Sequence, residues 1–170
     1  MAFGTIIPSE AELEDVLLTS YEDEHLALLE SLENTVQFTV RARYLRDEVL
    51  TDLVEEDPEV ARMREIIAGT TEEQTRDARI QLGERIVKAF DRIRPQHSDQ
   101  IISALEPVVV EMKERDVGQV EDVVEVAVLV ERDQTRQFED ALEEVAADLY
   151  SRIEFQLLGP QAPYEFVGDD

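Results

Sequence analysis

The chain has 170 residues, with 16 basic against 41 acidic side chains, a formal charge of −25 and no cysteine. So strong a negative charge repels phosphate backbones and anionic membrane surfaces, and the missing thiols exclude disulfides, thiol catalysis and cysteine-based zinc sites. The length allows one good core or two small ones, and no apolar run approaches the span of a bilayer.

In chain order, a strand stopped by Pro8 leads into a helix opened by a capping box, Ser9 with Glu12. Leu13, Val16, Leu17, Tyr21, Leu28, Leu29 and Leu32 recur near one face of that helix at three- and four-residue steps. Nine acidic residues and no Lys or Arg lie between Ser9 and Asn34, so the outer face is strongly negative. Beyond Asn34, Val36, Phe38, Val40, Ala42 and Tyr44 alternate with Gln37, Thr39, Arg41 and Arg43. That period predicts a half-buried strand with one polar face. Asp57-Pro58 supplies the cap and first turn of a further helix, which Gly69 ends.

A second capping box, Thr70 with Glu73, opens a long helix whose buried stripe is Ala78, Leu82, Ile86, Ala89, Phe90 and Ile93. Pro95 is expected to bend or end it, because a proline disfavours helix at the residue before it. His97-Ser98-Asp99 then reads as a polar turn capping a shorter helix with Ile101, Ile102 and Leu105, closed by Pro107. Val108 to Met112 reads as a strand. A turn near Asp116-Val117-Gly118 leads to a second strand with Val124, Val126, Val128 and Val130 on one side. Asp133 caps a helix carrying Phe138, Leu142, Val145 and Leu149. Ile153, Phe155 and Leu157 mark a last strand, which Gly159-Pro160 is expected to stop. Pro163 stiffens the residues after it, so Tyr164 and Phe166 are expected to lie on the body of the protein as a rigid arm. The fold class is α+β. The closing strand-strand-helix-strand order predicts a ferredoxin-like, split βαβ unit with long helices over residues 70–170. The opening strand-helix-strand reads as a partial unit of the same kind, with a connecting helix, over residues 1–69.

The ending, a strand followed by Gly159-Pro160-Gln161-Ala162-Pro163-Tyr164-Glu165-Phe166-Val167, resembles the C-terminus of the GvpF/GvpL family of gas vesicle accessory proteins. Phe3-Gly4-Thr5, before an acidic helix, is similar to that family's internal Phe-Gly-Thr segment. The elements between, including Asp57-Pro58-Glu59 and Gln81-Leu82-Gly83-Glu84, follow in the family's order. Two positions depart from the pattern. Ala162 stands where the family usually has the first of two adjacent prolines, and Glu125 precedes a strand that the family commonly opens with Asn-Ala-Ala. Members usually carry a further stretch before Phe-Gly-Thr, so the chain reads as a truncated or shortened form. The resemblance implies a non-enzymatic accessory protein of the cytoplasm and the gas vesicle. Its partners would be the apolar shell protein and other gas vesicle accessory proteins. Phe3, Gly4, Thr5, Gly159, Pro160, Pro163, Tyr164 and Phe166 carry the family motif and are expected to be architectural.

The residues themselves offer little chemistry. Glu22 and His25 have the Glu-x-x-His spacing of carboxylate-bridged metal sites, but the only other histidine, His97, has Arg94 at that spacing. The glycines are too scattered for a phosphate-binding loop, and His97-Ser98-Asp99, adjacent in sequence, is not how a triad assembles in space. No catalytic, cofactor-binding or metal-ligating residue is therefore expected. A metal-dependent enzyme using scattered carboxylates remains an alternative, as does a self-associating module. One contrast stands out between Thr75 and Pro95, where six basic residues meet three acidic ones. Arg76, Arg79, Arg85, Lys88 and Arg92 there either dock on the acidic Ser9–Asn34 helix or receive a partner's acidic surface.

Overall fold

A computed structural model of the chain describes residues 22–71 and 74–167. The Phe3-Gly4-Thr5 motif, the strand expected before Pro8, the capping box expected at Ser9 and Glu73 of the one expected at Thr70 lie outside them. The elements are α1 (Glu22–Leu32), β1 (Thr35–Tyr44), α2 (Arg46–Glu56), α3 (Pro58–Ala68), α4 (Arg76–Leu105), β2 (Glu111–Arg115), β3 (Asp122–Glu131), α5 (Thr135–Leu149) and β4 (Ile153–Gln161). Short 3-10 turns at Glu106–Val108, Arg132–Gln134 and Tyr164–Phe166 complete the order.

Among the described residues, four strands form one antiparallel sheet in the order β2-β3-β1-β4. The chain and sheet orders together are those of a β-α-β-β-α-β succession, so the α+β class holds. Its first strand, β1, comes from the segment read from sequence as a partial unit of its own. The sheet therefore joins residues on both sides of position 70. β1 sits between β3 and β4, and the expected half-buried strand holds only over its second half, where Arg41 is partly exposed and Arg43 exposed. Thr35, Gln37 and Thr39, on the supposedly polar face, are buried along with Val36, Phe38 and Val40 on the other.

On the inner face the side chains of Phe38, Val40, Val126, Val128 and Val130 meet those of Phe90, Ile101, Leu105, Phe138, Leu142 and Val145 from α4 and α5. The Phe38 and Phe138 rings lie 5.1 Å apart and those of Tyr44 and Phe90 5.2 Å, within the range where tilted aromatic pairs attract. The stripe expected on the last helix is all there: Phe138, Leu142, Val145 and Leu149 are buried. A smaller cluster of Leu53, Val60 and Ala89 joins α2, α3 and α4. Helix α2 had no sequence expectation, although Val49 and Leu53, one turn apart, are both buried. The Asp57 cap of α3 is real: its carboxylate accepts from the Glu59 N–H at 3.0 Å, with Pro58 in the first turn and Gly69 at the C-cap.

Several expected boundaries move. Helix α4 begins at Arg76 rather than at Thr70, with Thr75 at its N-cap, whose hydroxyl donates to the Thr71 carbonyl at 2.9 Å. It then runs through Pro95 to Leu105, so His97, Ser98 and Asp99 lie inside the helix and cap nothing. Proline at 95 cannot donate to the carbonyl of Asp91 four residues back. Fully buried Phe90 on one side and Ile101 and Leu105 on the other hold the helix on the sheet across that gap. Arg94 adds a clamp, donating from Nε to the Asp122 carbonyl at 2.9 Å and from Nη2 to the Val120 carbonyl at 2.8 Å. Pro95→Ala should restore the missing bond and raise stability by about 1–2 kcal/mol, part of the roughly 3 kcal/mol that an interior proline costs. Urea denaturation checks this, and a loss of stability would mean that the helix depends on a proline-shaped bend.

The strand expected at Val108–Met112 lies further on, because the ladder with β3 runs from Glu111 opposite Leu129 to Arg115 opposite Glu125. Val108 and Val109 pack on the core from the connecting segment instead. Asp133 falls in the 3-10 turn before α5, and no side chain caps that helix. The last strand does not stop at Gly159-Pro160. It continues to Gln161 past an irregularity opposite Gln37 and Thr39, where three steps on β4 match two on β1.

Candidate functional site

The sequence motif at the C-terminus builds the best-defined polar feature of the molecule. Beyond the irregularity in β4, Pro163 leads into the Tyr164–Phe166 turn, closed by the Tyr164 N–H on the Ala162 carbonyl (2.8 Å) and the Phe166 N–H on the Pro163 carbonyl (3.0 Å). This turn lies across the outer face of the sheet. Phe166 is 6% exposed and packs with Ala127, Leu129 and Leu32. Tyr164, two residues earlier, is 78% exposed. The expectation that both rings lie on the body fails for Tyr164, because residues two apart in a three-residue turn point to different sides.

Between the rings, Glu165 is the anchor. Arg115 Nε donates to its carboxylate at 2.9 Å, and Arg115 Nη2 and the Gln37 amide nitrogen donate to Oε1. The Glu165 N–H donates to Gln37 Oε1 at 3.1 Å, and Lys113 Nζ donates to the Glu165 carbonyl at 3.0 Å while standing 5.1 Å from the centre of the Phe166 ring. Arg115 also pairs with Glu125, which accepts from Arg41 Nη2 at 3.1 Å. The sheet explains the convergence. Arg41, Glu125 and Arg115 are register partners on neighbouring strands, as are Thr39, Ala127 and Lys113. Sequence reading missed Gln37, Lys113, Arg115 and Glu165; the alternation of Lys113 and Arg115 on one side of a strand was the available signal.

The hydrogen bond from Arg115 holds the Glu165 carboxyl below its ordinary value, and that from Arg41 does the same for Glu125. Hydrogen bonding to Glu165 raises Arg115 in turn. A carboxylate whose folded value is depressed contributes stability above its unfolded value and loses it as the pH falls through the folded one. Stability should therefore drop once the pH passes below the ordinary carboxylate value of 4.5. Glu165→Gln should start lower at neutral pH and fall less steeply over that acid window. Parallel slopes for the two proteins in a pH series of thermal melts would show that the arm's carboxylate is not the titrating group.

The two histidines go separate ways. Glu22 and His25 share α1, with side chains outside those described. His97 lies 2.9 Å through Nδ1 from the Tyr44 hydroxyl, and the two rings meet edge to face at 5.6 Å. Burial lowers the His97 value, with the nearby Arg152 charge adding to it, and burial pushes Tyr44 up to about 12. Folding thus favours the neutral imidazole. That contribution is complete above the ordinary 6.5 and is lost as the pH falls toward the folded value. Among the described residues, no group of three or more His, Asp or Glu is placed to hold a metal ion, and no helix is long and apolar enough to cross a membrane.

The basic stretch of α4 is only partly assembled. Arg85, Lys88 and Arg92 line a 410 Å³ cleft with Leu53, Asp57 and Ala89, while Arg76 and Arg79 lie further toward the start of the helix. Arg85 donates to Asp57 at 2.9 Å and also pairs with Glu59, tying α4 to the start of α3. Arg79 donates to the Thr75 hydroxyl at 3.2 Å. Arg85 thus finds acidic partners at the start of α3, while most of the acidic Ser9–Asn34 helix lies outside the described residues. Exposed pairs of this kind hold about 0–1 kcal/mol each.

These features define an α+β protein whose assembled polar groups join one element to another. The chain belongs to the gas vesicle synthesis protein GvpL/GvpF family, whose sequence profile matches residues 1–168. It is 26% identical over 170 residues to "Gas vesicle protein F" of Streptomyces sp. (strain CB03234), covering 98% of this chain and 68% of that protein. In fold it is similar to the crystal structure of the gas vesicle protein GvpF from Anabaena sp. PCC7120, with a TM-score of 0.67 at 16% identity, covering 100% of this chain and 69% of that one. The crystal structure of GvpF from Microcystis aeruginosa gives a TM-score of 0.65 at 19% identity, covering 98% of this chain and 68% of that one.

Proposed function

We propose that this chain is a non-enzymatic accessory protein of gas vesicle assembly or nucleation that binds the apolar shell protein and other gas vesicle proteins. The observation that carries the reading is the family match over residues 1–168. The commitment of the polar groups supports it. Glu165, Glu125, Arg115 and Arg41 are engaged in holding the arm, and His97 is engaged with Tyr44. A charge of −25 would keep a complex with an apolar shell subunit dispersed, in the cytoplasm and on the growing vesicle. Pull-down of purified shell protein and accessory proteins by the folded chain tests the reading, and capture of none of them would sink it.

A second reading rests on the sheet. β4 pairs with β1 on one side only and forms an edge of the described sheet. An open edge favours pairing with another copy. Light scattering over a range of concentrations separates the two, because a strict monomer removes self-association.

A further inference from the structure

We infer that the exposed apolar groove between α1 and the C-terminal arm receives an apolar helical segment with basic flanks. The inference rests on the reading that this chain holds an apolar shell protein, and it assigns that contact to one surface. Leu29 and Leu32 of α1 and Pro163, Tyr164 and Val167 of the arm line an opening of 220 Å³. Leu29 is 64% exposed, Tyr164 78% and Val167 53%. Exposed apolar side chains scattered singly are ordinary, but three of them meeting at one groove, from segments far apart in sequence, form a patch.

The arm presents this patch already ordered. Pro163 precedes the turn, Glu165 is bound to Arg115 and Gln37, and Phe166 is buried in the sheet's outer face. Tyr164 is therefore held in position before any partner arrives, which lowers the entropy cost of binding. Exposed tyrosine is also a residue type that dominates binding energy at protein contacts. An amphipathic helix laid into an apolar groove is the mode such a surface suits.

Charge selects the partner. Glu33, just past the end of α1, lines the groove, Glu30 stands three residues earlier in the last turn of α1, and that turn carries no basic residue. Acidic flanks on an incoming segment would be repelled, whereas Lys or Arg flanks gain both steering and register.

The test uses the full chain with a photo-crosslinking benzoylphenylalanine at position 164, or at position 88 as a control, and purified gas vesicle shell protein as the probe. Cross-links from position 164, and not from 88, to an apolar segment bordered by Lys or Arg are expected. Tyr164→Ala with Leu29→Ala should weaken binding by about ten-fold or more with unchanged melting. Glu30→Lys with Glu33→Lys should weaken it and flatten its salt dependence. Equal binding by wild type and the Tyr164–Leu29 double variant would overturn this surface alone. Cross-links from 164 to a second copy, or to residues 1–21 of the same chain, would overturn the proposed occupant. No binding by wild type would overturn the proposed function itself.

Discussion

Gly159→Ala is expected to destabilise the protein by about 2–6 kcal/mol, the sum of a strained backbone and an overpacked contact. Gly159 has a φ of +134°, a region that side chains with a Cβ rarely enter. A Cβ placed there would stand 2.7 Å from Phe38 Cδ1 and 2.9 Å from the Gln37 carbonyl oxygen. Neither neighbour can yield. Phe38 is fully buried against Phe138, and the Gln37 carbonyl belongs to the central strand. The glycine thus lets β4 cross close over β1 and aim the arm at the outer face. Gly83, inside α4 with open space around it, is the control. The same exchange at Gly83 should gain about 0.5–1 kcal/mol. Urea denaturation of both variants decides the matter, and similar small effects at the two sites would refute the role given to Gly159.

Phe166→Ala should cost about 3–5 kcal/mol, the usual range for deleting a buried phenylalanine ring. Its ring fills the small cluster with Ala127, Leu129 and Leu32 and lies beneath the Lys113 ammonium. Removing it leaves Glu165 to hold the arm by hydrogen bonds alone. Tyr164→Ala should change stability by less than about 0.5 kcal/mol, as exposed positions do. Thermal melts of the two variants side by side test the assignment. Comparable losses would mean that both rings support the fold, as the sequence alone suggested. A silent Phe166→Ala would mean that the arm is not clamped at all.

The contrast between these two aromatics shows what kind of information a sequence carries. Pro163, Tyr164 and Phe166 announced an ordered arm, and the turn is there. Which ring went inward depended on where the outer face of the sheet lay, and that was set by pairings between strands far apart in the chain. Gln37 makes the same point. Its alternation with Phe38 and Val40 placed it on a polar face, yet it is buried because Glu165 arrives to satisfy its amide. Pro95 failed as a helix end for a related reason. The local preference for a break is weaker than the burial of Phe90, Ile101 and Leu105 on either side of it.

Periodicity and composition determined the α+β class, the core stripe of α5, the Asp57-Pro58 start of α3 and, through the two-ended motif, the resemblance to a gas vesicle family. These are properties of neighbouring residues, and short-range forces decide them. Tertiary structure alone decided that β1 is central, that Arg115 and Glu165 meet, that Arg85 pairs with α3, and that Tyr164 faces out beside Leu29. Each of those depends on how strands and helices far apart in the chain come together, a choice made by the free energy of the whole buried surface and invisible in any local pattern.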